Sequence, residues 1–168
     1  MVKAEVKQRT CIFTGHRDIP EADRSRIARN TREQIIDLIS NHGVRYFGVG
    51  GAIGFDTLAS EVLFDLRKNL FPQIKIILVY PFNGFTSRWS SQQKVRFDQH
   101  VQQFDKRVCV SSIPCKEAYL ARDRHLVDGA AYCIAYCTKD TGGTSYTVKY
   151  AKSKGLVIVN VAEFDNQK

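Results

Sequence analysis

No apolar run in this 168-residue chain approaches the roughly 20 residues needed to span a bilayer, so no membrane helix is expected. Residues 1–7, Met-Val-Lys-Ala-Glu-Val-Lys, lack the apolar stretch of a secretory signal, and a cytoplasmic address is expected. Cys-x-x-Cys pairs, clustered Cys/His spacing and His/Asp clusters are also missing, which leaves no expected metal site. The five cysteines, at 11, 109, 115, 133 and 137, cannot all pair within one chain. Cys11, Cys109 and Cys133 lie in apolar runs, where a reduced thiol behaves as a small buried hydrophobe. No linker-like composition, low-complexity tract or repeat divides the chain, and its length fits one domain over residues 1–168. No Gly-x-Gly-x-x-Gly spacing and no Gly-Lys-Ser/Thr ending occur, which removes the ordinary dinucleotide fingerprint and the P-loop. No Ser/His/Asp order stands out among the four dispersed histidines, so no catalytic constellation is legible.

Positive charge is what the chain does have. Twenty-five Lys and Arg against 17 Asp and Glu give a net charge of +8, which favours nucleotides, nucleic acid or acidic metabolites as partners. Arg24, Arg26, Arg29 and Arg32 recur along one helix candidate and read as a solvated basic face. Apolar strand-like runs at 9–13, 44–49, 74–80, 106–110, 132–136 and 156–161 alternate with stretches of helical period. That alternation predicts an α/β fold: an open, mostly parallel sheet with helices on both faces. Helices are expected around Ile27–Ile39, from Leu58 to Leu66, over 87–105, over 116–127 and over 143–154.

In such a sheet the carboxyl ends of the strands line one edge, where ligands bind. Four motifs fall there. Thr14-Gly15-His16-Arg17 offers a turn, an imidazole and a permanent cation able to grip phosphate or carboxylate. Gly50-Gly51-x-x-Gly54-x-Asp56 opens a helix, and its glycines let backbone approach an anion. Asp56 reads either as a partner for ribose hydroxyls or as a helix cap. Tyr80-Pro81-Phe82 leads toward Trp89, which with Tyr119 can stack on a base or simply pack in the core. Gly142-Gly143-Thr144-Ser145 places glycines and hydroxyls at a second helix start. Arg122 and Arg124 cannot face the same side of their helix, so at most one enters the crevice.

These residues together resemble the YpsA-like branch of the SLOG superfamily. The resemblance rests on Thr-Gly-His-Arg at 14–17, Gly-Gly-Ala-Ile-Gly-Phe-Asp at 50–56, Tyr80-Pro81-Phe82, Trp89, the 119–128 stretch and Gly142-Gly143-Thr144, in that order. It covers about 9–161 and implies a Rossmann-like domain that binds a nucleotide or nucleotide derivative, as a sensor or regulator. That ligand is the only cofactor-like group implied. Self-association is left open, because related folds pair through helices. The superfamily includes the LONELY GUY phosphoribohydrolases, which would make Arg122 or Arg124 catalytic with a carboxylate such as Glu61 or Asp56. Their Pro-Gly-Gly-x-Gly-Thr-x-x-Glu motif is not kept here, and Lys149 occupies the glutamate position. The run at 142–151 is closer to DprA, a protein that handles single-stranded DNA, so nucleic acid is a less favoured partner.

Overall fold

The computed structural model describes residues 2–163. In chain order the elements are α1 (Val2–Gln8), β1 (Thr10–Gly15), a 3-10 turn (Glu21–Asp23), α2 (Arg24–His42), β2 (Tyr46–Val49), α3 (Phe55–Asn69) and β3 (Lys75–Tyr80). They continue with α4 (Ser91–Val101), β4 (Lys106–Cys109), α5 (Glu117–Asp128), β5 (Tyr132–Tyr136), α6 (Gly143–Ser153) and β6 (Val157–Asn160). The six strands lie in the order β4-β3-β2-β1-β5-β6, and every pairing is parallel. This is the Rossmann-like α/β architecture that the alternation of apolar runs implied.

Side chains alternate across the sheet with the two-residue period of a strand. Cys11 and Phe13, Phe47 and Val49, Ile76 and Leu78, and Ile134 and Tyr136 pack with α2 and α3 in one core. Ile12, Val79, Cys133 and Ala135 face the other way and pack with Leu126 and Val127 of α5 and Ala151 of α6. The second layer is the smaller, and β4 is largely exposed at its edge.

Several boundaries differ from expectation, each for a local reason. β1 runs on through Thr14 and Gly15, because Gly15 pairs in register with Tyr136. The expected helix over 87–105 contracts to α4, whose start is fixed by Ser90. The Ser90 hydroxyl accepts from the Gln93 N–H at 3.2 Å, and the Gln93 side chain accepts from the Ser90 N–H at 3.0 Å. The helix α1 carries too little apolar pattern to be anticipated.

The thiols divide. Cys11 and Cys133 are buried, and burial pushes both up, Cys133 to about 12. Cys109, grouped with them on sequence grounds, is instead exposed, because it ends the edge strand. All five are free.

Candidate functional site

The chain leaves β1 toward α2 and β2 on one side, and leaves β5 toward α6 and β6 on the other. Between those neighbouring strands the loops diverge and open a crevice, as parallel sheets do where strand order reverses. The cavity there measures about 520 Å³. Its walls come from Thr14–Arg17, Gly50, Ala52, Asp56, Tyr119, Arg122, Asp123 and residues 141–144. Motifs from three loops and from α5 therefore meet in one place.

The first glycine turn is built against the protein. A Cβ at Gly50 would stand 2.7 Å from Arg122 Nη1, and one at Gly51 would stand 2.7 Å from Leu78 Cδ1. At Gly54, with φ of 85°, it would overlap the backbone of Arg17; at Gly15 it would overlap the Phe55 ring. The N–H groups here are also engaged. Phe55 donates to the His16 carbonyl at 3.1 Å, and Ala52 donates to Asp56 Oδ2 at 3.1 Å.

Asp56 lines the crevice with one carboxylate oxygen on the Ala52 N–H, and Gly54 rather than Asp56 holds the cap position of α3. Asp56 is 6% exposed, and its Oδ1 has no hydrogen-bond partner among the described residues. Burial pushes it up to about 6, against the pull of Arg122 and the Ala52 N–H. Arg122, only 7% exposed, donates through Nε to Asp123 Oδ1 at 2.7 Å and through Nη1 to the Gly50 carbonyl. Asp123 Oδ2 in turn accepts from the Thr147 hydroxyl at 3.1 Å, tying α5 to α6. Each charge in this small network is hydrogen-bonded, as a buried charge must be.

The second glycine turn is open. A Cβ at Gly142 or Gly143 would meet nothing within 4 Å, although Gly142 does need its positive φ of 98°. The first α-helical bond of α6 runs from the Tyr146 N–H to the Gly142 carbonyl. The N–H groups of Gly143, Thr144 and Ser145 therefore precede the helical ladder and remain available at its positive end. No side chain caps this helix. Thr144 lines the crevice, whereas Ser145 is buried.

His16 spans the divergence. Its Nε2 accepts from the Thr138 N–H at 2.8 Å, joining the loop after β1 to the loop after β5. Burial, then the charge of Lys139, hold the imidazole below the usual histidine range, which preserves the acceptor. Arg17 stands at the mouth, exposed, with no hydrogen bond or ion pair from its guanidinium among the described residues.

Other candidates lie elsewhere. Arg124 sits on the outer surface against Tyr146, donating to its hydroxyl at 2.9 Å and 2.7 Å. Glu61 bridges α3 to α4 through Arg96, at 3.1 Å, and His100, at 3.2 Å; those bonds outweigh its partial burial and lower it. Pro81 is buried at the end of β3, with its carbonyl accepting from Ser111 N–H at 2.9 Å. Trp89 packs edge-on against Phe85 and Phe97, with centroids 5.5 and 5.6 Å away, and borders a separate cavity. Lys149, in the position a hydrolase fills with glutamate, donates to the Asp140 carbonyl at 3.0 Å.

Sequence reasoning put Arg24 on a solvated basic face, whereas it lines the cavity beside Trp89, and it did not find the His16–Thr138 bond. Arg24 carried one signal: it is a cation in the first turn of α2, the end where the helix dipole disfavours it. Among the described residues no group of three His, Cys, Asp or Glu side chains could hold a metal ion, and no helix is long and apolar enough to cross a membrane.

The family model YpsA, described as the YspA SLOG family, matches residues 12–157. The chain belongs to that family. Its Thr-Gly-His-Arg and glycine-turn motifs lie inside the matched span. A UPF0398 protein of Oenococcus oeni is 32% identical over 93 residues, covering 55% of this chain and 47% of that protein. A UPF0398 protein of Shouchella clausii is 23% identical over 130 residues, 74% of this chain and 68% of its own length. The chain thus spans about half the length of the Oenococcus relative, and the matched segment covers 47% of it. Two DNA processing protein A structures share the fold. The Helicobacter pylori protein, described with a single-stranded DNA binding mode, has a TM-score of 0.61 at 16% identity over 91% of this chain and 65% of its own. The Streptococcus pneumoniae protein has a TM-score of 0.62 at 15% identity over 91% of this chain and 50% of its own.

Proposed function

We propose that this protein binds a nucleotide or nucleotide-derived ligand in the crevice between β1 and β5, with its phosphate on the second glycine turn. The observation that carries this reading is the open start of α6. Gly142 and Gly143 present bare backbone to empty space, and three helix-leading N–H groups stand beside it. Arg17 closes the opposite side with a guanidinium that no protein group engages among the described residues. Binding suits a sensor or regulator better than turnover does, since Lys149 replaces the hydrolase glutamate and is tied to a backbone carbonyl.

Differential scanning fluorimetry of the parent and Gly143→Val against adenine and guanine nucleotides tests the reading. The parent is expected to be stabilised by ligand, and the variant to fold equally well without responding. An equal ligand response in both would remove the phosphate from this turn.

Single-stranded nucleic acid is a second reading, supported by the net charge of +8 and by the binding described for the Helicobacter fold neighbour. A labelled oligonucleotide titrated over a salt series separates the two. Steeply salt-dependent affinity favours it; absent or salt-insensitive binding counts against it.

A further inference from the structure

The two faces of the sheet are not covered alike. α2, α3 and α4 link strands that step one way from β1 to β4, and right-handed crossovers put all three on the same face. Phe97 and Val101 of α4 accordingly pack against the core that holds α2 and α3. α5 and α6 pack on the other face, in the smaller core. Beside α5 that face keeps a groove of about 550 Å³, floored by Ile12, Gly48, Ile77, Val79 and Val108, with Val6 of α1 in its lining. Parallel sheets are ordinarily covered on both sides. Here Ile77 and Val108 stay only partly buried, and Val6 is 38% exposed.

The open floor has the dimensions of a helix. Leu126 of α5 sits over Gly48 of β2, where a Cβ would stand 3.0 Å from Leu126 Cδ2. From β2 to β4 is two strand spacings, roughly 10 Å, close to the diameter of one α-helix. β3 has six residues, which at about 3.3 Å each equal the length of a helix of about 14 residues.

The charge on the groove is uncommitted and positive. Lys75 and Lys106 line it, exposed, and their ammonium groups make no hydrogen bond or ion pair among the described residues. The acidic residue in the lining, Asp105, is already held: its Oδ2 accepts from Arg67 Nη1 at 2.7 Å and from Ile76 N–H at 2.8 Å.

We propose that this groove docks an amphipathic helix of a partner protein, one whose apolar stripe is flanked by acidic residues. The stripe covers Ile77 and Val108, and the flanking carboxylates meet Lys75 and Lys106. A second copy of this chain fits less well, because an isologous contact centred on the groove sets the same lysines against each other. A small apolar ligand also fits less well. Its pocket buries most of its surface, whereas this floor is open to solvent. The groove and the crevice share Leu126 alone among their lining residues, so docking stands apart from the crevice reading.

Fluorescence anisotropy of the full chain with two labelled, stapled helical peptides of about 15 residues tests this. Both carry the same leucine stripe, flanked by glutamate in one and by lysine in the other. The glutamate peptide is expected to bind about 10-fold or more tighter than the lysine peptide. The net charge of +8 alone attracts the glutamate peptide, so a double charge reversal, Lys75→Glu with Lys106→Glu, decides the location. That variant is still positive overall, yet it should prefer the lysine peptide. Val108→Asp should weaken the glutamate peptide about 10-fold or more by placing a carboxylate under the stripe. Should Val108→Asp fail to fold, the charge reversal carries the test, since those lysines have no protein partner to lose among the described residues. Binding of neither peptide, equal binding of both, or a preference unchanged by charge reversal overturns the proposal. So does a dimer, seen by sedimentation equilibrium, that Val108→Asp dissociates, because the groove then belongs to a second copy.

Discussion

Gly50, Gly51 and Gly54 are hemmed in by the protein itself, whereas Gly142 and Gly143 face open space. Both turns follow a parallel strand and start a helix, yet the missing side chains serve different ends. In the first they let three segments close on one another: the loop after β1, the start of α3 and the Arg122 guanidinium. In the second they leave backbone N–H groups uncovered. Glycine at a helix start therefore says nothing about ligands until one asks what a Cβ would strike there.

The comparison can be broken most forcefully at Gly54. Gly54→Ala adds a side chain at a positive φ and drives it into the backbone of Arg17, so unfolding free energy should fall by about 3 kcal/mol or more. Chemical denaturation measures this, and a loss comparable with that of Gly143→Val would erase the distinction between the turns. The Gly143 variant should remain within about 0.5 kcal/mol of the parent.

A subtler probe is the carboxyl beneath the first turn. Well below pH 4 Asp56 is protonated in folded and unfolded chains alike. Between about 4 and 6 the unfolded chain ionises first, since folding raises the group from 3.8 to about 6, so rising pH favours unfolding. Asp56→Asn escapes that penalty while keeping an acceptor for the Ala52 N–H. The melting temperature of the variant minus that of the parent should grow from pH 4 to 6 and level off above. A difference independent of pH would show that the carboxyl is not ionising in a buried setting.

The smallest effect belongs to Arg124. Its guanidinium lies outside the crevice on Tyr146, so Arg124→Gln should leave nucleotide affinity unchanged by titration. A loss of affinity would bring the outer face of α5 into the site.

The sheet was legible because Phe47, Val49, Ile76 and Leu78 repeat with a strand's period and are bounded by helical stretches. The edge where the motifs collect followed from that alternation alone. The division of labour between the glycines did not, because each obstructing atom comes from a distant part of the chain. Arg17 lies 37 residues before Gly54, and Arg122 lies 72 after Gly50. Helical spacing likewise separated Arg122 from Arg124 without saying which turns inward; that depends on the whole helix packing through Leu126 and Val127. Asp56 carried two readings, of which the cap position went to Gly54, while the turn folds back so that one carboxylate oxygen receives the Ala52 N–H and the residue still lines the crevice.

The contact behind Arg17 has one more effect. The bare Gly54 lets the helix start lie directly against the Arg17 peptide, while the neighbouring His16 carbonyl accepts from Phe55 N–H. The arm proposed to hold an anion is therefore mounted on a braced shoulder. Only its side-chain torsions remain to be ordered when a ligand arrives, a cost of about 0.5–1.5 kcal/mol rather than that of ordering a loop. The empty space of one glycine thus becomes preorganisation at the tip of another residue.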